Sequence, residues 1–238
     1  MAQKCEMRLL GKTGSAFTNR VRFVLKLKSI DYEYFEEDLD NKTELFLKSS
    51  PVFRNVPVLF HGDGPPMIES LCIMEYLDEI KPDVHPILPK NPADRVQFRI
   101  LAYTFDNLYY PAMREFMLTR DVDKREAMKG PITEGIARLE EAFIHVSKGK
   151  EFWGGDDIGY LDIVFGVFLG WFKLFGKVFD FDVIDEVINP RLAQWGRSMW
   201  SHEVASTIIP NHEIHAKFLQ FLHNRMPPTS RPLVDLSY

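Results

Sequence analysis

A chain of 238 residues with 45% apolar and 26% charged side chains falls in the range of folded domains, which excludes a disordered or fibrous protein. Its length corresponds to one or two domains and suffices to bury a core without covalent staples. A net charge of −5 gives no global attraction for nucleic acid or an anionic membrane, and two cysteines, Cys5 and Cys72, cannot make a disulfide framework.

The first residues, MAQKCEMRLLGK, lack the apolar stretch of a signal peptide, so a cytoplasmic protein is expected. Met7 to Leu10 reads as a short strand, broken by the turn from Gly11 to Gly14. From Ala16 to Lys28, Phe17, Val21, Val24 and Leu25 recur at helical spacing, and Arg20, Arg22, Lys26 and Lys28 read as a solvated face. Tyr32, Tyr34 and Phe35 mark a second strand, and Thr43 to Lys48 one or two helical turns. Val56 to Phe60 makes a third strand, which His61 to Gly64 turns into a fourth at Pro66 to Ile68. A helix from Ser70 to Ile80 follows, with Ser70 as its natural N-cap. The order is βαβ, then ββα.

Pro82, Pro86, Pro89 and Pro92 lie too close together for the interior of a helix or strand, so residues 83–92 read as an interdomain linker. This gives a first domain at 1–82, a helical domain at 93–225 and an extended tail at 226–238. Helical patterns cover 95–120, 126–148 and 160–177, with shorter pieces up to Asn224. The strongest apolar run, Ile163 to Phe172, stops at Lys173, well short of a membrane span. Asp162 to Phe179 is apolar nearly all round and is expected to form the central buried helix.

Four places could carry chemistry. Ser15 stands just ahead of the first helix, either as an ordinary N-cap that accepts a backbone N–H or as a donor to an anion held at the helix N-terminus. Val56-Pro57 suits either an edge strand or a cis turn whose backbone faces a peptide-like ligand. Glu69 and Ser70, where strand turns into helix, suit an amino-acid head group. The serine and helix amides would take its carboxylate and Glu69 its ammonium. Lys42 reads by default as an exposed lysine and otherwise offers a cation for a second carboxylate. His212 and His215 lie three apart without HExxH spacing or a third ligand, so no metal site is expected.

In this order, SAFTNRV (15–21), EEDLDNKTELFL (36–47), SPVFRNVPVL (50–59) and IESLCIMEYLDE (68–79) resemble the plant tau-class glutathione transferases. The likeness continues through GGDDIGYLDI (154–163) and the tryptophan-bearing helix as far as Phe175. It implies a thioredoxin-like N-terminal domain followed by an all-helical domain. It also implies a homodimer that joins reduced glutathione to small hydrophobic electrophiles, in the service of detoxification and stress response. At matching positions, Ser15 would stabilise the glutathione thiolate and Lys42 would hold the glycyl carboxylate. Val56 would pair its backbone with the cysteinyl unit ahead of a cis Pro57, and Glu69 with Ser70 would hold the γ-glutamyl head. Asn55 stands beside them where a lysine is common. The electrophile would lie against Phe17, Tyr110, Arg114, Met117 and Trp171, with Lys12 at the mouth.

An activated thiolate would also allow a peroxidase side activity. The alternative is a carrier that keeps the fold and binds ligands without turnover. Two departures from the family pattern carry expectations of their own. Lys12-Thr13-Gly14, where relatives often have aromatic residues, predicts a smaller and more polar mouth. Gly159, in place of a hydroxyl cap, predicts lost stability, with Asp162 capping the helix from one side only. Of the cluster Trp171, Phe172 and Phe175, only Trp171 is expected to meet substrate.

Overall fold

The computed structural model describes residues 6–224, so Cys5 and the expected tail at 226–238 lie outside the described residues. Strand β1 (Met7–Gly11) is central, flanked by parallel β2 (Glu33–Glu36) and antiparallel β3 (Val58–His61). Leu9 lies opposite Tyr34 on one side and Leu59 on the other. The expected fourth strand shrinks to one bridge between Leu59 and Met67, and the third begins at Val58. Pro57, Pro65 and Pro66 have no N–H for a ladder, which shortens both. Helix α1 (Ala16–Leu27) buries Val21, Phe23, Val24 and Leu25 and packs on α3 (Ser70–Ile80), while α2 (Glu44–Ser49) is short and anchored by Phe46.

The basic face of α1 is not the solvated surface that its pattern predicts, because Arg20 and Lys28 are fully buried. The Lys28 ammonium lies 2.7 Å from Asp78 and donates to the carbonyls of Lys81, Val84 and His85. Asp78 in turn accepts from the Ile87 and Leu88 amides. The proline-rich stretch is therefore fastened to α1. Helical periodicity shows a charge on one face but not the carbonyls that arrive more than fifty residues later.

The rest is helical: α4 (Pro92–Thr104), α5 (Tyr110–Leu118), α6 (Val122–Ser147), α7 (Tyr160–Gly166), α8 (Leu169–Phe179), α9 (Pro190–Ser201), α10 (Glu203–Ile208) and α11 (His212–Asn224). The expected helix over 95–120 is α4, one π-helical turn at Phe105–Tyr109, and α5, with Pro111 withholding a donor as α5 begins. The expected central helix is likewise two, α7 and α8, and every residue of α7 is buried.

Asp162 organises this centre. Its carboxylate accepts from the amides of Trp153, Gly154 and Gly159 at 2.9 Å and from the Trp195 indole at 2.7 Å. Burial pushes its carboxyl up to about 6 against the pull of these donors, so it is ionised at neutral pH. The expected penalty at Gly159 is corrected here. A Cβ there would stand 2.9 Å from the Gly154 Cα and 3.3 Å from the Ile87 carbonyl, so only glycine lets these backbones meet. Buried Glu140 does a similar service for α9, accepting from the Arg191 and Leu192 amides at 2.8 Å.

Arg20 makes the buried ion pair between the sheet-bearing part and the helical part, beside a more exposed pair of Arg99 on α4 with Glu75 on α3. Arg20 donates to both Asp106 oxygens at 2.7 and 2.6 Å and to the Val164 carbonyl at 3.1 and 3.2 Å. Removing one member of such a buried pair leaves an uncompensated charge and costs about 3–5 kcal/mol. Asp106→Ala is expected to lose that amount in urea unfolding, and a loss below 1 kcal/mol would show that the pair is dispensable. Asp162→Ala leaves three buried donors and the part-buried Gly154 amide without an acceptor, at about 1–3 kcal/mol for each buried one before relaxation. Its thermal midpoint is expected to fall by at least about 10 °C, and an unchanged midpoint would contradict the central place given to this carboxylate.

Candidate functional site

A cleft of about 830 Å³ lies where the loops around the sheet face the helical part. Its polar end brings together Ser15, Lys42, Asn55, Val56, Pro57, Glu69 and Ser70. Gly14, with φ of +90°, makes the turn that delivers Ser15 to the start of α1. The Ser15 oxygen accepts from the Thr18 amide at 3.3 Å, so it is an N-cap. A hydroxyl has two lone pairs and one proton, so capping leaves the proton free to be donated. The two roles open to Ser15 in the sequence are compatible in one geometry.

Glu69, not Ser70, is the N-cap of α3. It holds φ of 67° and ψ of 106°, and its side chain makes no cap hydrogen bond. A non-glycine residue in that region is strained by about 1–3 kcal/mol, a conformation that persists where the surroundings enforce it. The unused carboxylate faces the cleft. Ser70 is the first residue of α3, and its oxygen accepts from Arg20 at 3.3 Å, again leaving a proton to give. Across the cleft, Lys42 donates to the Arg54 carbonyl at 3.1 Å and rests over the Phe46 ring. The Val56–Pro57 peptide is cis. Buried Ser50, whose hydroxyl has no hydrogen-bond partner among the described residues, also lines this end; it opens the SPVFRNVPVL stretch, which assigns it no role.

The apolar end is aromatic. Phe17 meets Tyr110 edge-on at 4.9 Å, and both pack against Phe168 at 5.9 and 5.6 Å. Met117 and Trp171 extend this wall, and exposed Arg114 stands at its rim, with a hydrogen bond to Tyr110. Burial raises the Tyr110 pKa while Arg114 works the other way, so it remains a neutral phenol. Phe172 and Phe175 line the cleft too, so Trp171 is not alone in facing it.

Lys12 is absent from the lining: its ammonium lies 3.3 Å from Glu36, which also takes the Thr13 amide and hydroxyl. Phe218 and Phe221 of α11 supply apolar surface at the mouth, and the Lys12 ammonium lies 5.8 Å from the centre of the Phe221 ring, just outside the lining. Nothing near Ser15 in the chain announces residues two hundred positions away. Among the described residues, no group of three or more potential ligands could hold a metal ion, and no helix is long and apolar enough to cross a membrane.

Comparison with known proteins agrees with this geometry. Residues 9–85 match the glutathione S-transferase N-terminal domain family. Glutathione S-transferase U16 of Arabidopsis thaliana is 40% identical over 227 residues, covering 94% of this chain and 97% of that protein. Among solved structures, a tau-class glutathione S-transferase from mango, Mangifera indica, superposes with a TM-score of 0.87 at 37% identity, covering 92% of this chain and all of that one. A rice glutathione S-transferase in complex with glutathione gives 0.82 at 30% identity, covering 95% and 100% of the two chains. The N-terminal unit is thus the thioredoxin-like half of this fold and α4 to α11 its helical half. The chain is a transferase of the glutathione S-transferase family, and its relatives place it in the tau class.

Proposed function

We propose that the cleft holds glutathione at its polar end and a small hydrophobic electrophile at its aromatic end, and that Ser15 stabilises the thiolate between them. The observation that carries this reading is the free Ser15 proton at the start of α1, in one cleft with unused Glu69 and the aromatic wall. Ser70 and the first amides of α3 take the α-carboxylate of the γ-glutamyl head, and Glu69 takes its ammonium. The Val56 backbone pairs with the cysteinyl unit beside Pro57 and Asn55, and Lys42 meets the glycyl carboxylate. The electrophile lies against Phe17, Tyr110, Met117 and Trp171, with Arg114 at the rim.

Magnitudes support this division. Bringing a thiol from a pKa near 8.5 down by about two units takes about 2.7 kcal/mol. A hydrogen bond from Ser15 to the charged sulfur supplies about 1.5–3 kcal/mol, and the N-terminus of α1 about 0.3–1 kcal/mol more. Serine is a donor here and not a nucleophile, so no histidine need activate it. The thiolate attacks the electrophilic carbon, the new C–S bond forms, and the leaving group departs with the electron pair. Attack on a hydroperoxide oxygen by the same thiolate would give the peroxidase side activity.

We assign the domains to 1–82 and 93–225, joined by 83–92, and the working place to the cytoplasm, where thiols are kept reduced. The homodimer is proposed on one surface. Val96, Ile100 and Tyr103 are 51%, 51% and 66% exposed and follow one face of α4, an apolar stripe suited to a second copy. The wild type is then expected to sediment at twice its 27.7 kDa chain mass, and an Ile100→Asp variant as a monomer; a monomeric wild type would end the dimer proposal.

Ultraviolet thiolate absorbance against pH tests the site itself. Bound glutathione is expected to titrate near pH 6–7 in the wild type and close to 8.5 in Ser15→Ala. Below the shifted value the thiolate is protonated, so conjugation falls as pH drops through it. Glutathione bound with an unshifted pKa would overturn the assigned role of Ser15 and favour the carrier.

A further inference from the structure

The face that α5 turns to the cleft carries one charge. Tyr110, Met113, Arg114 and Met117 line the cleft at the spacing of a single helix face. Among the described residues, no carboxylate pairs with Arg114, although acids lie close to it in the chain. Asp106, which acts on Tyr110 as Arg114 does, has both oxygens held by Arg20 at 2.7 and 2.6 Å. Glu115 lies 2.6 Å from Lys124. The Lys12 ammonium, just outside the lining, is matched by Glu36 at 3.3 Å. Of these cations, Arg114 is the one that brings uncompensated positive charge to the aromatic wall.

The donors here are arranged for an anion. A guanidinium has no acceptor, so in its hydrogen bond with Tyr110 the phenol oxygen accepts and the phenol proton stays free to be given. Burial keeps that proton on Tyr110 at neutral pH. One helix turn therefore offers a guanidinium fork and a hydroxyl side by side. A carboxylate, with two oxygens and about four lone pairs, takes both, and it pairs with a planar fork better than with a point charge. Beside them stand the Phe17 and Phe168 rings, each within 6 Å of the Tyr110 ring. The surface thus fits a molecule that is apolar over most of its body and acidic at one edge.

We propose that the aromatic end selects hydrophobic electrophiles that carry a carboxylate, and that Arg114 is the specificity-determining residue, holding that carboxylate together with the Tyr110 hydroxyl. This rests on the reading of the aromatic end as the electrophile site and names the substrate class of that site. The ion pair fixes the acidic edge on α5 while the apolar body lies against the wall. A neutral electrophile of the same shape has the wall alone and leaves Arg114 to water.

The test compares 4-chloro-3,5-dinitrobenzoate with its methyl ester, using full-length protein and saturating glutathione. In each, the thiolate forms a C–S bond at the carbon bearing chlorine, and chloride departs with the electron pair of the broken C–Cl bond. For each compound kcat/KM is divided by the rate constant of the uncatalysed reaction, which removes the difference in intrinsic reactivity. The wild type is expected to favour the acid about tenfold. Arg114→Gln is expected to lose that preference, and Arg114→Lys, which keeps the charge but not the fork, to retain part of it. A wild type that does not favour the acid, or a preference that survives in Arg114→Gln, would overturn the proposal. Failure of the wild type to conjugate either compound would instead strike the reading of the aromatic end as an electrophile site. Quenching of tryptophan fluorescence by 3,5-dinitrobenzoate and by its methyl ester, which have no chloride to lose, judges Arg114 in that case, because Trp171 lines the cleft. Tighter binding of the acid that is lost in Arg114→Gln would uphold its role, and equal binding of the two would end it.

Discussion

The site depends on one buried ion pair, Arg20 with Asp106. Arg20 belongs to α1, the helix that Ser15 caps, and Asp106 to the π-helical turn between α4 and α5. The same guanidinium reaches the Ser70 hydroxyl and lies over the rings of Phe17 and Phe168 at 5.0 and 5.4 Å. It therefore touches the polar end of the cleft, its aromatic end and the helical core at Val164 at once. A charge so deeply buried is tolerable only when paired and fully hydrogen-bonded, so its partners hold their places together. Relative movement of the two halves would break several charge-assisted bonds in one step.

Ser15 and Glu69 show two ways of preparing a helix N-terminus. At α1 the side chain caps the helix, which fixes the oxygen and leaves its proton to be donated. At α3 the side chain leaves the helix uncapped, and the backbone takes a positive φ to hold the carboxylate in the cleft. The first arrangement adds a donor to amides that already favour an anion, and would suit the proposed thiolate. The second sets an acceptor beside a donor, and would suit the proposed head group of both charges.

Much of this was legible in the sequence, wherever the determinants are local. Ser15 before α1, Glu69-Ser70 before α3 and the Val56-Pro57 turn each announce themselves within a few residues, and the structure gathers them in one cleft. What could not be read depends on distant partners. The charge of Arg20 looked like surface because Asp106 lies 86 residues on. Gly159 looked like a weak cap because its close approach to Gly154 is a fact of backbone packing, not of propensity. The break at Val167 and Phe168 was hidden because apolar residues continue through it, and periodicity cannot mark the end of a helix that is buried all round.

The same reasoning explains Lys12-Thr13-Gly14. Taken as neighbours of Ser15, they suggest a polar mouth; Glu36 binds both Lys12 and Thr13, and the Lys12 ammonium also lies over the Phe221 ring. Gly14, by its lack of a side chain, admits Phe218 beside Ser15. An aromatic residue at this place in the chain would occupy the space that α11 fills. The apolar surface is thus supplied from the far end of the chain, on a helix whose contacts with α5 and α8 set its position. The Ser15 oxygen is held by the Thr18 amide, while its neighbour Gly14 packs against Phe218 and Ile214 of α11. The loop that delivers Ser15 and the helix that supplies the aromatic surface therefore meet at Gly14, although they lie far apart in the chain.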